Sequence, residues 1–261
     1  MIAAIVLLLI SVLLWRHYTW KAQPWPQGAL QPPAYQAHRG YWKEGAPENT
    51  LASMKAAWEQ GFQMAELDVR LSADGIPVVF HDKTLRRWGD EKVLVSMLTA
   101  RELSTRTQSP TLEQVLQSQE RPAFINIELK TDQMWDGQLE KKVAAVVRQQ
   151  GAEKQVLFSS FNPLALYRLS REIPQVPRAL LATEEKDARN KIYLRHLWLA
   201  PYVNIQALHL DAQYVSPGEL QKWKKRKIPV ALWTVNDRQR AQDYLAQGAL
   251  SIITDEPIIK K

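Results

Sequence analysis

Glu66 and Asp68 stand two residues apart in the apolar run MAELDVRL at 64–71. Side chains on a β-strand alternate between faces, so a strand here aims both carboxylates at one point. Left alone they repel; a divalent cation removes the conflict. Glu128, in NIELK at 126–130, offers a third carboxylate from a neighbouring strand, and an all-oxygen donor set suits Mg²⁺ or Ca²⁺ better than zinc. The competing explanation pairs each acid with a nearby base such as Arg39 or Lys130, but three acids exceed what those cations settle. Two histidines, His38 and His81, each follow an apolar run, YQA at 35–37 and PVVF at 77–80. Imidazole takes or gives a proton near neutral pH. A lone histidine in such a place is ordinarily structural; a pair beside three acids reads as acid–base chemistry at a cation.

Such residues need a scaffold that gathers strand ends. After Pro33 short apolar runs at 35–38, 64–71, 77–80, 124–129, 155–160, 177–182, 205–210, 230–235 and 250–255 alternate with helical patterns at 50–60, 137–150, 163–171, 184–199, 217–225 and 237–246. Strands separated by helices pair in parallel through crossovers. With the 77–80 run set aside as a hairpin partner, about eight strand–helix units remain, the number that closes a TIM (β/α)8 barrel. His38, Glu66, Asp68, Glu128, Lys130 and Trp233 then fall on or at the ends of strands, and chemistry in such barrels gathers at the carboxyl ends. An open doubly wound sheet is the rival, and no glycine-rich phosphate loop follows the first strand to support it.

The 261 residues, 46% hydrophobic and 23% charged, suffice for one large domain, and neither low-complexity segments nor a fixed-period repeat interrupts them. The absence of cysteine excludes disulfides, thiol catalysis and zinc–thiolate sites. A net charge of +7 and a pI near 9.5 suit anionic surroundings. The basic run KWKKRK at 222–227 reads as the solvated end of a helix, with lipid headgroups as the competing partner; no nucleic-acid motif accompanies it.

Residues 1–15, MIAAIVLLLISVLLW, carry no charge and are followed by Arg16, His17 and Lys21. Extended to Trp20 as a helix, the run reaches about 30 Å, and Trp15, Tyr18, Trp20 and Trp25 resemble an interfacial aromatic belt. With neither a basic leader nor a small-x-small cleavage site, residues 1–20 are expected to form an uncleaved single-pass transmembrane helix. Residues 21–34, with Pro24, Pro26, Pro32 and Pro33, would be a spacer and residues 35–261 the catalytic barrel. Positive charge after the apolar run points the barrel to the cytoplasmic side.

The ordered motifs AHRG at 37–40, PENT at 47–50, ELDVRLSADGIPVVFHD at 66–82, NIELK at 126–130 and WTVN at 233–236 resemble the glycerophosphodiester phosphodiesterase family of TIM barrels, over residues 35–258. The resemblance implies His38 and His81 as general acid and base, and Glu66, Asp68 and Glu128 as ligands of one Mg²⁺ or Ca²⁺. It sets Arg39 and Lys130 against phosphate and Glu48 and Asn49 at the mouth, Glu48 touching metal or glycerol. The 72–82 stretch corresponds to a hairpin inserted after the second strand, which brings His81 back over the metal. Trp233 is a candidate pocket wall, and His209, in LHLD, a candidate substrate contact. His17 reads as interfacial and His196 as structural or exposed.

The implied activity is metal-dependent hydrolysis of glycerophosphodiesters to glycerol 3-phosphate and an alcohol. The anchor and the apolar IYLRHLWLAPYV at 192–203 raise a second activity, lysophospholipase D-type headgroup release from membrane lysophospholipids. A reading of another class is a membrane-tethered binding module that has lost catalysis; degenerate copies should lack one of His38, Glu66, Asp68, His81 or Glu128, and all are present.

Overall fold

A computed structural model describes residues 2–131, 135–186 and 190–257. Helix α1 (Ile2–Thr19) precedes strand β1 (Tyr35–Ala37), helix α2 (Leu51–Glu59) and strand β2 (Met64–Leu71). An excursion follows, with β3 (Pro77–Val79), β4 (Thr84–Leu85), β5 (Asp90–Leu94), α3 (Ala100–Thr107) and α4 (Leu112–Gln117). Strand–helix alternation then becomes regular: β6 (Phe124–Leu129), α5 (Gln138–Gln149), β7 (Val156–Ser160), α6 (Pro163–Glu172), β8 (Arg178–Ala182), α7 (Ile192–Arg195), β9 (Ala207–Asp211), α8 (Pro217–Lys225), β10 (Val230–Trp233), α9 (Arg238–Ala246) and β11 (Ser251–Thr254).

Parallel pairing runs from β2 through β6, β7, β8, β9, β10 and β11 to β1, and β1 returns to β2 through Ala37 and Ala65. Eight strands thus close, as expected of a TIM barrel. Strand β2 is longer than the closure requires. Val69–Leu71 pair antiparallel with β3, and Arg70 and Leu71 extend past the last β6 partner, so the 77–80 run leaves the barrel and turns its end back toward the mouth. Apolar residues such as Leu67, Ile125, Ile127 and Phe158 bury against the helices. Inside, Gln36 donates to Ser251 Oγ at 3.1 Å, Asn126 to Gln36 Oε1 at 3.1 Å and Ser159 to Asn126 Oδ1 at 2.9 Å, a polar layer whose members satisfy one another.

Helices α3 and α4 are absent from the sequence expectation although their starts are encoded. Thr99 with Glu102, and Thr111 with Gln114, exchange side-chain-to-backbone hydrogen bonds in capping boxes. The helix expected over 184–199 reduces to α7; residues 187–189 lie outside the described residues. The amide of Asn190 donates to the carbonyls of Thr183 at 2.8 Å and Glu185 at 2.7 Å, a side chain competing for backbone acceptors. Leu197, at φ 56°, interrupts the helical conformation downstream.

The expected membrane anchor is overturned: among the described residues no helix is long and apolar enough to cross a membrane. Only Ile2 to Trp15 of α1 are free of charged or histidine side chains, a run of about 21 Å against a hydrocarbon core of about 30 Å. The residues after it are engaged with the barrel. Arg16 donates to the carbonyl of Pro201 at 3.2 Å, and Arg226 donates to those of His17 at 2.9 Å and Trp20 at 3.3 Å. Trp20 is buried. The membrane partner and the cytoplasmic placement, both inferred from the anchor, fall with it. The 21–34 segment packs against the barrel, with Gln23 donating to Ile205 O at 2.8 Å and Leu30 buried beside Met64, Leu157 and Ala179.

Candidate active site

The first imidazole stands where β1 ends. His38 continues the ladder by donating its N–H to Thr254 O at 2.8 Å. Its Nδ1 lies 2.7 Å from Asp255 Oδ1, just past β11, and Asp255 Oδ2 accepts from Asn236 at 2.8 Å. A carboxylate only accepts, so Nδ1 carries the proton and Nε2 remains as the basic nitrogen. Burial alone would raise the Asp255 carboxyl, but its contacts with His38 and Asn236 hold it below its ordinary value.

The AHRG turn then folds tightly. Arg39 has φ 58° and Gly40 φ 76°; a Cβ on Gly40 would meet Ser53 Oγ at 2.5 Å, so only glycine fits. This turn aims the Arg39 N–H at Glu66 Oε2, 3.0 Å away, and its guanidinium at Glu48, at 3.0 and 3.1 Å. Arg39 Nε lies 3.5 Å from Asp68 Oδ2.

In the β2–β6 register Asp68 lies beside Glu128, and Glu66 beside Asn126. Oxygens of Glu66, Asp68 and Glu128 all lie within 4.8 Å of one another and all three residues are buried. The two explanations weighed for these acids each hold in part. Lys130 Nζ is 3.2 Å from Asp68 Oδ1 and 2.6 Å from Glu128 Oε1, the latter an ion pair without hydrogen-bond alignment. Asn49 donates to Asp68 Oδ2 at 2.8 Å and accepts from the Asp68 N–H at 3.1 Å. Glu66 Oε1, however, is buried with no partner. Burial, then Asp68 and Glu128, pushes the Glu66 carboxyl well above the usual carboxylate range; Glu128 is raised by burial and Asp68 against the pull of Lys130. Asp68 resists its own burial because Lys130, His81, Arg39 and Asn49 hold it well below that range. Burial works against charge on Lys130, but Asp68 and Glu128 raise its pKa. An orphaned carboxylate oxygen among three acids and two facing cations fits a divalent ion.

The second imidazole arrives on the excursion. Phe80 N–H donates to Asp68 O at 2.9 Å and Arg70 Nε to His81 O at 2.9 Å, docking the end of the β3 segment on β2. His81 Nδ1 lies 2.7 Å from Asp82 Oδ1. Burial, aided by Lys130 and Arg39 and opposed by Asp68 and Asp82, pushes its pKa down to about 4.

His38, Arg39, Glu66, His81, Glu128, Lys130 and Trp233 line one cavity of about 210 Å³, closed by Phe161, Leu181, Asn126 and Ser159. The Trp233 ring meets Phe161 edge-on at 5.6 Å. Asp68 sits behind this wall. Glu48 is held by Arg39 and by Arg87, at 2.6 Å from the latter, while Asn49 spends both ends of its amide on Asp68; neither lines the cavity. His209 is fully buried and also absent from the lining, with neither ring nitrogen bonded; burial pushes it down to about 3. Sequence reasoning passed over Asp255, Asp82, Arg87 and Phe161. Asp255 was within reach, as an acid following the last barrel strand; Arg87 leaves no comparable signal.

Next to this cavity a groove of about 860 Å³ begins at Glu128 and Lys130 and runs along Phe161, Leu164, Tyr193, Leu194 and Leu199. Tyr193, Leu194 and Leu199 of the apolar 192–203 stretch therefore form a wall beside the site.

Barrel, acid cluster and flanking cations at the strand ends are those of a TIM-barrel phosphoric diester hydrolase. The model of the glycerophosphoryl diester phosphodiesterase family matches residues 38–259, and the chain belongs to that family. A glycerophosphodiester phosphodiesterase of Caldanaerobacter subterraneus subsp. tengcongensis is 28% identical, over 85% of this chain and 93% of its own. One of Bacillus altitudinis is 31% identical, over 85% and 94%. Among solved structures, an Oleispira antarctica phosphodiesterase in complex with the product sn-glycerol-3-phosphate superposes with a TM-score of 0.74 at 29% identity, over 87% of this chain and 94% of that one.

Proposed function

We propose that the chain hydrolyses glycerophosphodiesters to glycerol 3-phosphate and an alcohol, with Glu66, Asp68 and Glu128 holding one Mg²⁺ or Ca²⁺. The observation that carries this reading is the convergence of three buried carboxylates, one with an orphaned oxygen, beside a cavity lined by Glu66, Glu128 and two carboxylate-bound imidazoles. A bound cation offsets charge on the nonbridging phosphate oxygens. Arg39 and Lys130 add fixed positive charge at the same wall. One imidazole takes a proton from the nucleophile, water or the neighbouring glycerol hydroxyl, and the other gives one to the departing alcohol oxygen; attack by the hydroxyl leaves a cyclic phosphate, which water then opens to glycerol 3-phosphate. His81, which burial pushes down to about 4, suits the acceptor role.

The purified chain should release choline or ethanolamine from the corresponding glycerophosphodiesters with Mg²⁺ or Ca²⁺ present and stop on chelation. No release from any diester with either cation would refute the reading. The groove beside Glu128 and Lys130 favours a second reading of substrate choice, diesters that retain one acyl chain as lysophospholipids do. Full burial of a methylene is worth about 0.8 kcal/mol, about a fourfold gain in kcat/KM. In the same assay monoacyl substrates should then outrun deacylated ones, and equal rates would remove the second reading alone.

A further inference from the structure

We propose that Arg87 is a positioning residue that fixes the second imidazole, its guanidinium anchored on Glu48 and pairing with Asp82, the partner of His81. The inference rests on the phosphodiesterase reading above. His81 and Asp82 lie beyond β3, outside the closed barrel, and the excursion that follows them packs into a core of its own, with Phe80, Leu85, Val95 and Leu103. That core determines where the hairpin stands but not how the imidazole ring is turned.

A chain of side chains supplies the ring's orientation. Asp82 Oδ1 lies 2.7 Å from His81 Nδ1, and Asp82 Oδ2 lies 2.9 Å from Arg87 Nε, an ion pair without hydrogen-bond alignment. Arg87 Nη1 then reaches Glu48 Oε1 at 2.6 Å, and Glu48 holds Arg39 Nη1 with both oxygens. Two different nitrogens of one planar group thus meet carboxylates 34 residues apart in sequence. Without Arg87 the second Asp82 oxygen loses this ion pair and Asp82 is free to turn, taking the ring with it. A lysine cannot replace the fork, because one ammonium on a flexible stem does not present two donors at fixed spacing.

The position also separates this role from a merely structural one. Arg87 itself is 47% exposed, whereas Glu48 and Asp82 are 22% and 25% exposed. Ion pairs of so exposed a group contribute little to folding, so Arg87→Ala should fold and melt as the parent does.

The test is a double-mutant cycle. Arg87→Ala should lower kcat about 10- to 10²-fold, the scale of coupling between residues in one salt-bridge network. In a His81→Ala background the same change should cost less than about threefold, because the group it acts through is already gone. Arg87→Lys should not restore turnover. Equal losses in both backgrounds, full rescue by lysine, or an unchanged kcat would overturn the assignment. Nitrogen NMR of ¹⁵N-histidine-labelled protein gives a reading that needs no turnover, since the chain has only 5 histidines and His81→Ala identifies the ring in question. His81 should be protonated at Nδ1 in the parent and a mixture of tautomers in Arg87→Ala; an unchanged tautomer would also overturn it. A parent that turns over no diester would refute the function instead, and the NMR comparison would still decide on Arg87.

Discussion

His38 and His81 make the same local contact, Nδ1 to a carboxylate oxygen at 2.7 Å, from two regions of different construction. Around His38 everything belongs to the barrel frame. The residue extends β1, its N–H bonds the end of β11, and its partner Asp255 follows β11 and is held by Asn236 beyond β10. Around His81 the backbone is held by the edge of β2. The ring sits on an excursion with a small core of its own, its partner is its neighbour in sequence, and that partner is steadied by Arg87 from farther along the same hairpin. Strand pairing orients one imidazole; a relay of side chains orients the other. The acids between them are shared, with Glu66 and Asp68 on β2, which serves both the barrel and the excursion.

The largest expected effects test whether the regions are equal partners. His38→Ala and His81→Ala should each lower turnover by about 10²- to 10⁴-fold, the range of general acid–base help. Asp255→Asn and Asp82→Asn should each cost about 10- to 10²-fold. If either histidine variant keeps full turnover, the comparison breaks, because that region then contributes no proton carrier.

A smaller effect concerns the acids both regions share. The folded protein raises the Glu66 and Glu128 carboxyls, so at acidic pH both hold protons that an incoming cation must displace. Cation affinity should therefore rise with pH and level off above the raised pKa values, by up to about tenfold per pH unit for each proton released. Calorimetric titration of Mg²⁺ or Ca²⁺ in two buffers of different ionisation enthalpy counts those protons. Affinity indifferent to pH, with no proton release, would mean that the ion binds elsewhere.

Much of this arrangement is legible in the sequence because it rests on short periods. Two-residue spacing puts Glu66 and Asp68 on one strand face, and the pattern at 50–60 marks α2 to within a residue at either end. Signals read too generously fail for identifiable reasons. The N-terminal run reaches membrane length only if Arg16 through Trp20 are included, and the barrel itself engages Arg16, His17 and Trp20. Apolar periodicity at 184–199 overlooked a side-chain amide competing for backbone carbonyls. Asn49, expected at the mouth, turns inward to fix Asp68, and His209 disappears into the interior. Contacts made by tertiary packing leave the least trace. Nothing in the local sequence joins Arg87 to Glu48, and Asp255 meets His38 only because the barrel closes.

The most direct measurement is anomalous diffraction from crystals soaked in Mn²⁺ as a stand-in for Mg²⁺. The account predicts a peak about 2.0–2.6 Å from oxygens of Glu66, Asp68 and Glu128, with Lys130 displaced from at least one of its present carboxylate partners. A cluster that stays closed around Lys130 and Arg39, with the ion bound elsewhere or not at all, would contradict it.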